Sequence, residues 1–116
     1  MSIALRHLQA LTLWRNVNLG LVCDSEADLS SRQIALLLTV YLDIPPHTVR
    51  GLAKKLSVSK PVVTRALDTL GKLELVARRR DDADKRNVIV QRTVKGAIAM
   101  ERLADRIIDT ARDLPG

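Results

Sequence analysis

A chain of 116 residues is about one domain in length and holds one hydrophobic core. Its residues are 47% hydrophobic and 28% charged, which excludes an intrinsically unfolded chain, and only 2% aromatic, which argues against base-stacking RNA platforms and ring-walled pockets. Nineteen Lys and Arg against 13 Asp and Glu give a net charge of +6, so nucleic acid is the leading partner class, ahead of an anionic membrane surface.

Residues 3–19 predict a first helix, because Leu5, Leu8, Leu11, Leu13, Trp14 and Val17 recur at spacings of three and four. Gly20 is the expected stop, followed by a loop over 21–28 around Asp24-Ser25-Glu26. Ser30 with Gln33 forms a capping box for a second helix, with Leu29 and Ile34 placed for a hydrophobic staple. That helix runs through Leu36, Leu37, Val40 and Tyr41 to the stop at Pro45-Pro46 and reads as the buried centre of the domain.

A short helix over Val49–Leu56, a turn at Ser57-Val58 and a helix over Lys60–Leu73 follow. Ser59 caps the latter, and Pro61 sits in its first turn, where a missing N–H is tolerated. The period then changes. Leu75–Arg80 and Val88–Arg92 are β-prone runs around a polar tip, Asp81–Asn87, and predict a hairpin. Thr93 caps a last helix that continues towards Pro115.

The fold class that emerges is mainly α with a small β-hairpin wing: a winged helix-turn-helix with N- and C-terminal dimerisation helices. Small Ala53 stands where the two short helices cross. Leu36, Leu37, Leu52, Val63, Leu67, Val76 and Val88 supply the expected core. Ser57 occupies a turn position that usually calls for a left-handed Gly. Residues 1–28 and 93–116 are assigned to dimerisation and 29–92 to the DNA-binding lobe of one domain.

Charge falls on the same lobe. Residues 47–92 carry 12 basic and five acidic groups, a net +7, and the rest of the chain carries −1. On the second helix of the pair Val63, Ala66, Leu67 and Leu70 fill the inner face, leaving Lys60, Pro61, Val62, Thr64, Arg65 and Asp68 outward. Arg65 is placed to read guanine with its forked guanidinium, Thr64 to donate or accept, and Val62 to meet a thymine methyl. Thr48, Arg50, Ser59 and Lys60 are placed for phosphates, and at least one of Arg78, Arg79 and Arg80 for the DNA backbone.

Other chemistry finds little support. Cys23 stands alone, so no intrachain disulfide forms, and a bland buried or loop thiol is the reading preferred over a redox sensor. A reducing, cytoplasmic setting is expected, with no targeting or membrane-spanning segment. His7 and His47 have no partners at metal spacing, and Asp81–Asp84 lacks the Gly and distal Glu of a calcium loop. No metal, cofactor or enzymatic constellation is expected.

Over Leu29–Gly96 the chain resembles the multiple-antibiotic-resistance regulator (MarR) family. The likeness rests on Leu29-Ser30-Ser31-Arg32-Gln33, on the two-helix reader Val49–Arg65, on Leu73–Arg78 leading into the wing, and on Asp84-Lys85-Arg86-Asn87 followed by Thr93-Val94-Lys95-Gly96. It implies a cytoplasmic homodimer that binds specific double-stranded DNA, usually as a repressor. By the same likeness Arg86 is the wing arginine of the minor groove, held by Asp84 and neighboured by Lys85. The chain is shorter than the family pattern and poor in aromatics, which leaves a small-molecule effector open.

The terminal helices carry more apolar positions than a small reader needs. Leu8, Leu11 and Trp14 on the first, with Ile98, Ala104, Ile107, Ile108 and Ala111 on the last, form the expected dimer seam. A monomer with both helices folded onto their own lobe is the alternative. The alternative function is a winged-helix adaptor whose basic face meets an acidic protein.

Overall fold

The computed structural model describes residues 4–24 and 28–115. In chain order the elements are α1 (His7–Asp24), α2 (Ser31–Leu42), β1 (His47–Thr48), α3 (Val49–Leu56), α4 (Lys60–Lys72), β2 (Val76–Arg80), β3 (Val88–Arg92) and α5 (Val94–Arg112). Contacts divide the chain into two units: Leu29–Met100, and Met1–Asp28 together with Glu101–Gly116.

The Leu29–Met100 unit is built on α2. Ser30 caps it: its hydroxyl accepts from the Gln33 amide at 3.1 Å, while the Gln33 side chain accepts from the Ser30 amide at 2.8 Å. Leu36, Leu37 and Val40 from α2 meet Leu52 and Ala53 of α3, Val63, Ala66, Leu67 and Leu70 of α4, and Val76 and Val90 of the sheet. Leu36, Val40, Val63, Leu67 and Leu70 have almost no exposed surface. Val90 fills the place expected of Val88, which is only half-buried. Val88 lies on the same face as Val90 and Val76, but it pairs with exposed Arg80 at the tip end of the hairpin, beyond the packed helices.

The sheet holds a third strand that the sequence reading omits. β1 pairs antiparallel with β3 through His47↔Val90 and Thr48↔Ile89, giving the order β1-β3-β2. Two residues are too few to display a period. His47 is buried there, its Nε2 3.1 Å from the Asp43 carbonyl oxygen.

Both sharp turns around α4 use a left-handed residue other than glycine. Ser57 (φ 56°) follows α3, and Glu74 (φ 61°) follows α4. In each, the next amide reaches back to close the helix: Val58 N–H to the Ala53 carbonyl and Leu75 N–H to the Leu70 carbonyl, both at 3.0 Å.

The other unit pairs α1 with the end of α5. The Gln9 amide nitrogen donates to the Pro115 carbonyl at 3.0 Å, and Gly20 lies against the Arg106 side chain, so the two segments run antiparallel. Gly20 does not stop α1, which starts at His7 rather than residue 3 and continues to Asp24. Gly20 keeps a negative φ; what its missing side chain provides is room for Arg106, which a Cβ would strike. Cys23 is therefore an exposed helical residue, not a buried or loop thiol. Ser25–Ala27 of the expected loop, and Ile3, lie outside the described residues.

Candidate nucleic-acid interface

The α3–turn–α4 pair presents α4 along one side of the Leu29–Met100 unit. Its inner residues Val63, Ala66, Leu67 and Leu70 are all buried, which fixes the opposite face outward. Lys60, Pro61, Thr64, Arg65 and Asp68 are exposed there, with Val62 half-buried. Lys60 and Arg65 make no hydrogen bond or ion pair among the described residues, so both cations are available to a ligand.

The caps at the N-terminal ends differ. Thr48 Oγ1 accepts from the Gly51 amide at 3.0 Å, so this hydroxyl caps α3 and keeps only its own proton to offer a phosphate. Ser59, at the start of α4, makes no side-chain cap bond and keeps its whole hydroxyl. Arg50 is exposed in the first turn of α3.

The hairpin supplies the second arm. β2 and β3 pair from Val76↔Arg92 to Arg80↔Val88, and the Asp81 amide donates to the Asn87 carbonyl at 3.1 Å to close the tip. Within the tip Arg86 Nε and its backbone N–H each donate to Asp84 Oδ1 at 3.1 Å. These bonds hold the Asp84 carboxyl below its ordinary range; burial opposes them slightly, and the nearby Arg50 charge adds to them. Lys85 is exposed between Asp84 and Arg86.

Not every arginine of the basic block is free for a partner. Alternation along β2 puts Arg78 and Arg80 on the side of Val76 and Arg79 on the other. Arg78 donates to Asp68 Oδ1 at 2.8 Å across a cleft between α4 and β2, and Arg80 donates to the Lys85 carbonyl at 2.9 Å. Arg92 turns inward to the Val40 and Asp43 carbonyls at 2.8 and 2.9 Å, where it terminates α2. The sequence reading missed this structural use of Arg92, and equally Tyr41, whose hydroxyl joins α2 to Leu75 and Thr93. The only available signal was a tyrosine late in an otherwise aliphatic helix.

Among the described residues, no cluster of His, Cys, Asp or Glu could hold a metal ion, and no helix is long and apolar enough to cross a membrane.

A helix-turn-helix whose second helix is exposed and basic, followed by a basic hairpin, defines a winged helix-turn-helix protein. The MarR family model matches residues 29–88, and the chain belongs to that family. The fold is shared with S. aureus MepR, solved as a mutant bound to an oligodeoxyribonucleotide (20% identity, TM-score 0.78, covering 90% of this chain and 75% of that one). It is shared also with the transcriptional regulator BldR from Sulfolobus solfataricus (27%, 0.63, 87% and 68%) and with PcaV from Streptomyces coelicolor (23%, 0.66, 90% and 75%). No curated protein matches the chain significantly.

Proposed function

We propose that the protein binds specific double-stranded DNA in the cytoplasm as a homodimer and acts as a transcriptional repressor by occupying its site. The observation that carries this reading is the unpaired cationic face of α4, with Lys60 and Arg65, beside a hairpin ending in Lys85 and Arg86. The DNA-bound structure of MepR, which shares the fold, supports it.

The lobe spanning 29–92 carries the contacts, and residues 1–28 and 93–116 join two copies. Arg65 reads a base in the major groove, with Thr64 and Val62 beside it, while Pro61 keeps the first turn of α4 rigid. Ser59, Lys60, Arg50 and the Thr48 hydroxyl proton hold phosphates. Arg86, oriented by Asp84, enters the minor groove, with Lys85 along the backbone and Arg80 offering it the N–H groups not engaged with the Lys85 carbonyl.

Selection from a random duplex pool tests the reading. It should return an inverted repeat with half-sites about one helical turn apart, bound with a steep salt dependence. Arg65→Ala should then cost roughly 1–3 kcal/mol on that site and relax preference at one base pair per half-site. A chain that enriches no sequence, yet captures an acidic protein, would be an adaptor instead.

A further inference from the structure

Asp68 is the one acidic residue of α4, and it lies on the same outward face as Arg65. Residues three apart on a helix are neighbours, with Cβ atoms about 5–6 Å apart. Helical side chains also lean towards the N-terminus, which aims the Asp68 carboxylate at the turn carrying Thr64 and Arg65. Left to itself, this carboxylate would compete with a base or phosphate for the Arg65 guanidinium. The structure shows it turned the other way, towards β2, where Arg78 Nη2 binds Oδ1 at 2.8 Å.

We infer that Arg78 is a positioning residue: by pairing with Asp68 it holds the acid of α4 away from Arg65 and leaves that side chain free to read a base. The inference rests on the proposed DNA reading and replaces direct backbone contact as the role of Arg78. Arg78 suits the task. It stands on the same side of β2 as Val76, with a side chain only one-third exposed. Asp68 is more open, at 53%, so the pair adds little to stability and the fold does not depend on it. Lys72, four residues on, is the competing partner for a released carboxylate.

The test measures affinity for the selected duplex and for a random duplex, and takes their ratio. Arg78→Gln should lower that ratio by roughly three- to fivefold, the upper range of an exposed ion pair, while circular dichroism shows the fold intact. Asp68→Asn should leave the ratio within about twofold of the wild type, and adding Asp68→Asn to Arg78→Gln should restore it. In an Arg65→Ala background Arg78→Gln should no longer move the ratio. A change of net charge or a lost phosphate contact weakens both duplexes alike and leaves the ratio still, so that pattern overturns the inference. So does a double variant no better than Arg78→Gln, or an unchanged ratio because Lys72 takes the carboxylate. A wild-type chain with no preferred duplex overturns the DNA reading and this inference with it; a wild-type preference that Arg78→Gln leaves intact overturns this inference alone.

Discussion

Gly96 lies so close to the Tyr41 hydroxyl that a Cβ at this position would overlap it, together with the Leu75 carbonyl. Tyr41 reaches this point from α2 and donates to the Leu75 oxygen at 2.7 Å while accepting from the Thr93 amide at 3.0 Å. Thr93 Oγ1 in turn donates to the Glu74 carbonyl at 2.7 Å and caps α5 by accepting from the Gly96 amide at 2.9 Å. Four segments of the Leu29–Met100 unit, α2, the turn before β2, the junction after β3 and the start of α5, thus converge on one phenol.

Gly96→Ala should therefore destabilise the protein by about 1–3 kcal/mol, the range for forcing extra volume into a packed site. Tyr41→Phe should cost about 1–3 kcal/mol, because it strands the Leu75 oxygen and the Thr93 amide. Urea denaturation followed by circular dichroism gives both values. Midpoints unchanged from the wild type would show that the junction relaxes freely.

Replacing the two left-handed residues should act in the opposite direction. Ser57 and Glu74 sit at φ 56° and 61°, a region that only glycine enters without a Cβ clash. Ser57→Gly and Glu74→Gly should each stabilise by up to about 1 kcal/mol, the relief of that clash less the larger entropy of glycine in the unfolded chain. Because they flank α4 separately, the gains should add within about 0.5 kcal/mol. Lower melting temperatures for both variants would refute the strain argument.

Legibility in the sequence followed physical scale. The capping box at Ser30 and Gln33, the left-handed turn at Ser57 and the buried face of α4 depend on residues within four positions of each other, and a local pattern reports them. The pairing of β1 with β3, the inward turn of Arg92 and the Asp68–Arg78 bridge join residues that are distant in sequence or lie on different elements. Nothing local announces them. Gly20 misled because glycine has two uses: its known freedom suggested a stop, whereas the structure uses its lack of a side chain.

The wing tip should respond to acid. Arg86 holds the Asp84 carboxyl below its ordinary value of 3.8. A carboxylate depressed in the folded state contributes its bonds above the unfolded value and loses them as the pH falls through the folded one. The Asp84–Arg86 tie should therefore be constant between about pH 5 and 8 and open only below the ordinary carboxylate range. NMR titration of the Asp84 carboxyl should show a midpoint that rises towards 3.8 in Arg86→Ala. In binding, Arg86→Ala and Asp84→Ala should each weaken the complex, with the double variant no worse than Arg86→Ala. Strictly additive losses would uncouple the two residues.

Assembly decides how such a protein gains specificity. One lobe offers one reading helix and one hairpin, which is little discrimination against a genome of competing sites. Two lobes on a two-fold axis double the contacts. The terminal unit carries exposed apolar surface on both of its segments. α1 is apolar on two sides: Val17 is buried, yet Leu8, Leu11 and Trp14 stand 78%, 66% and 63% exposed on another face, joined by Leu19 and Val22. A helix apolar on opposite faces normally has both covered. Ile107 and Ile108, with Ala104 and Ala111, add an exposed apolar strip on the terminal half of α5, while Ile98 is exposed further back, within the Leu29–Met100 unit. Ile107→Glu with Ile108→Glu should place four carboxylates in the seam of a dimer and split it, since a buried unpaired charge costs more than any contact there returns. Both positions are 38–48% exposed in the single chain, so the monomer should stay folded. Sedimentation at micromolar concentration should show a wild-type dimer and a monomeric variant whose affinity for the inverted repeat is lost, while one half-site is still bound weakly. A wild-type monomer that binds an asymmetric site tightly would end the argument for a two-fold reader.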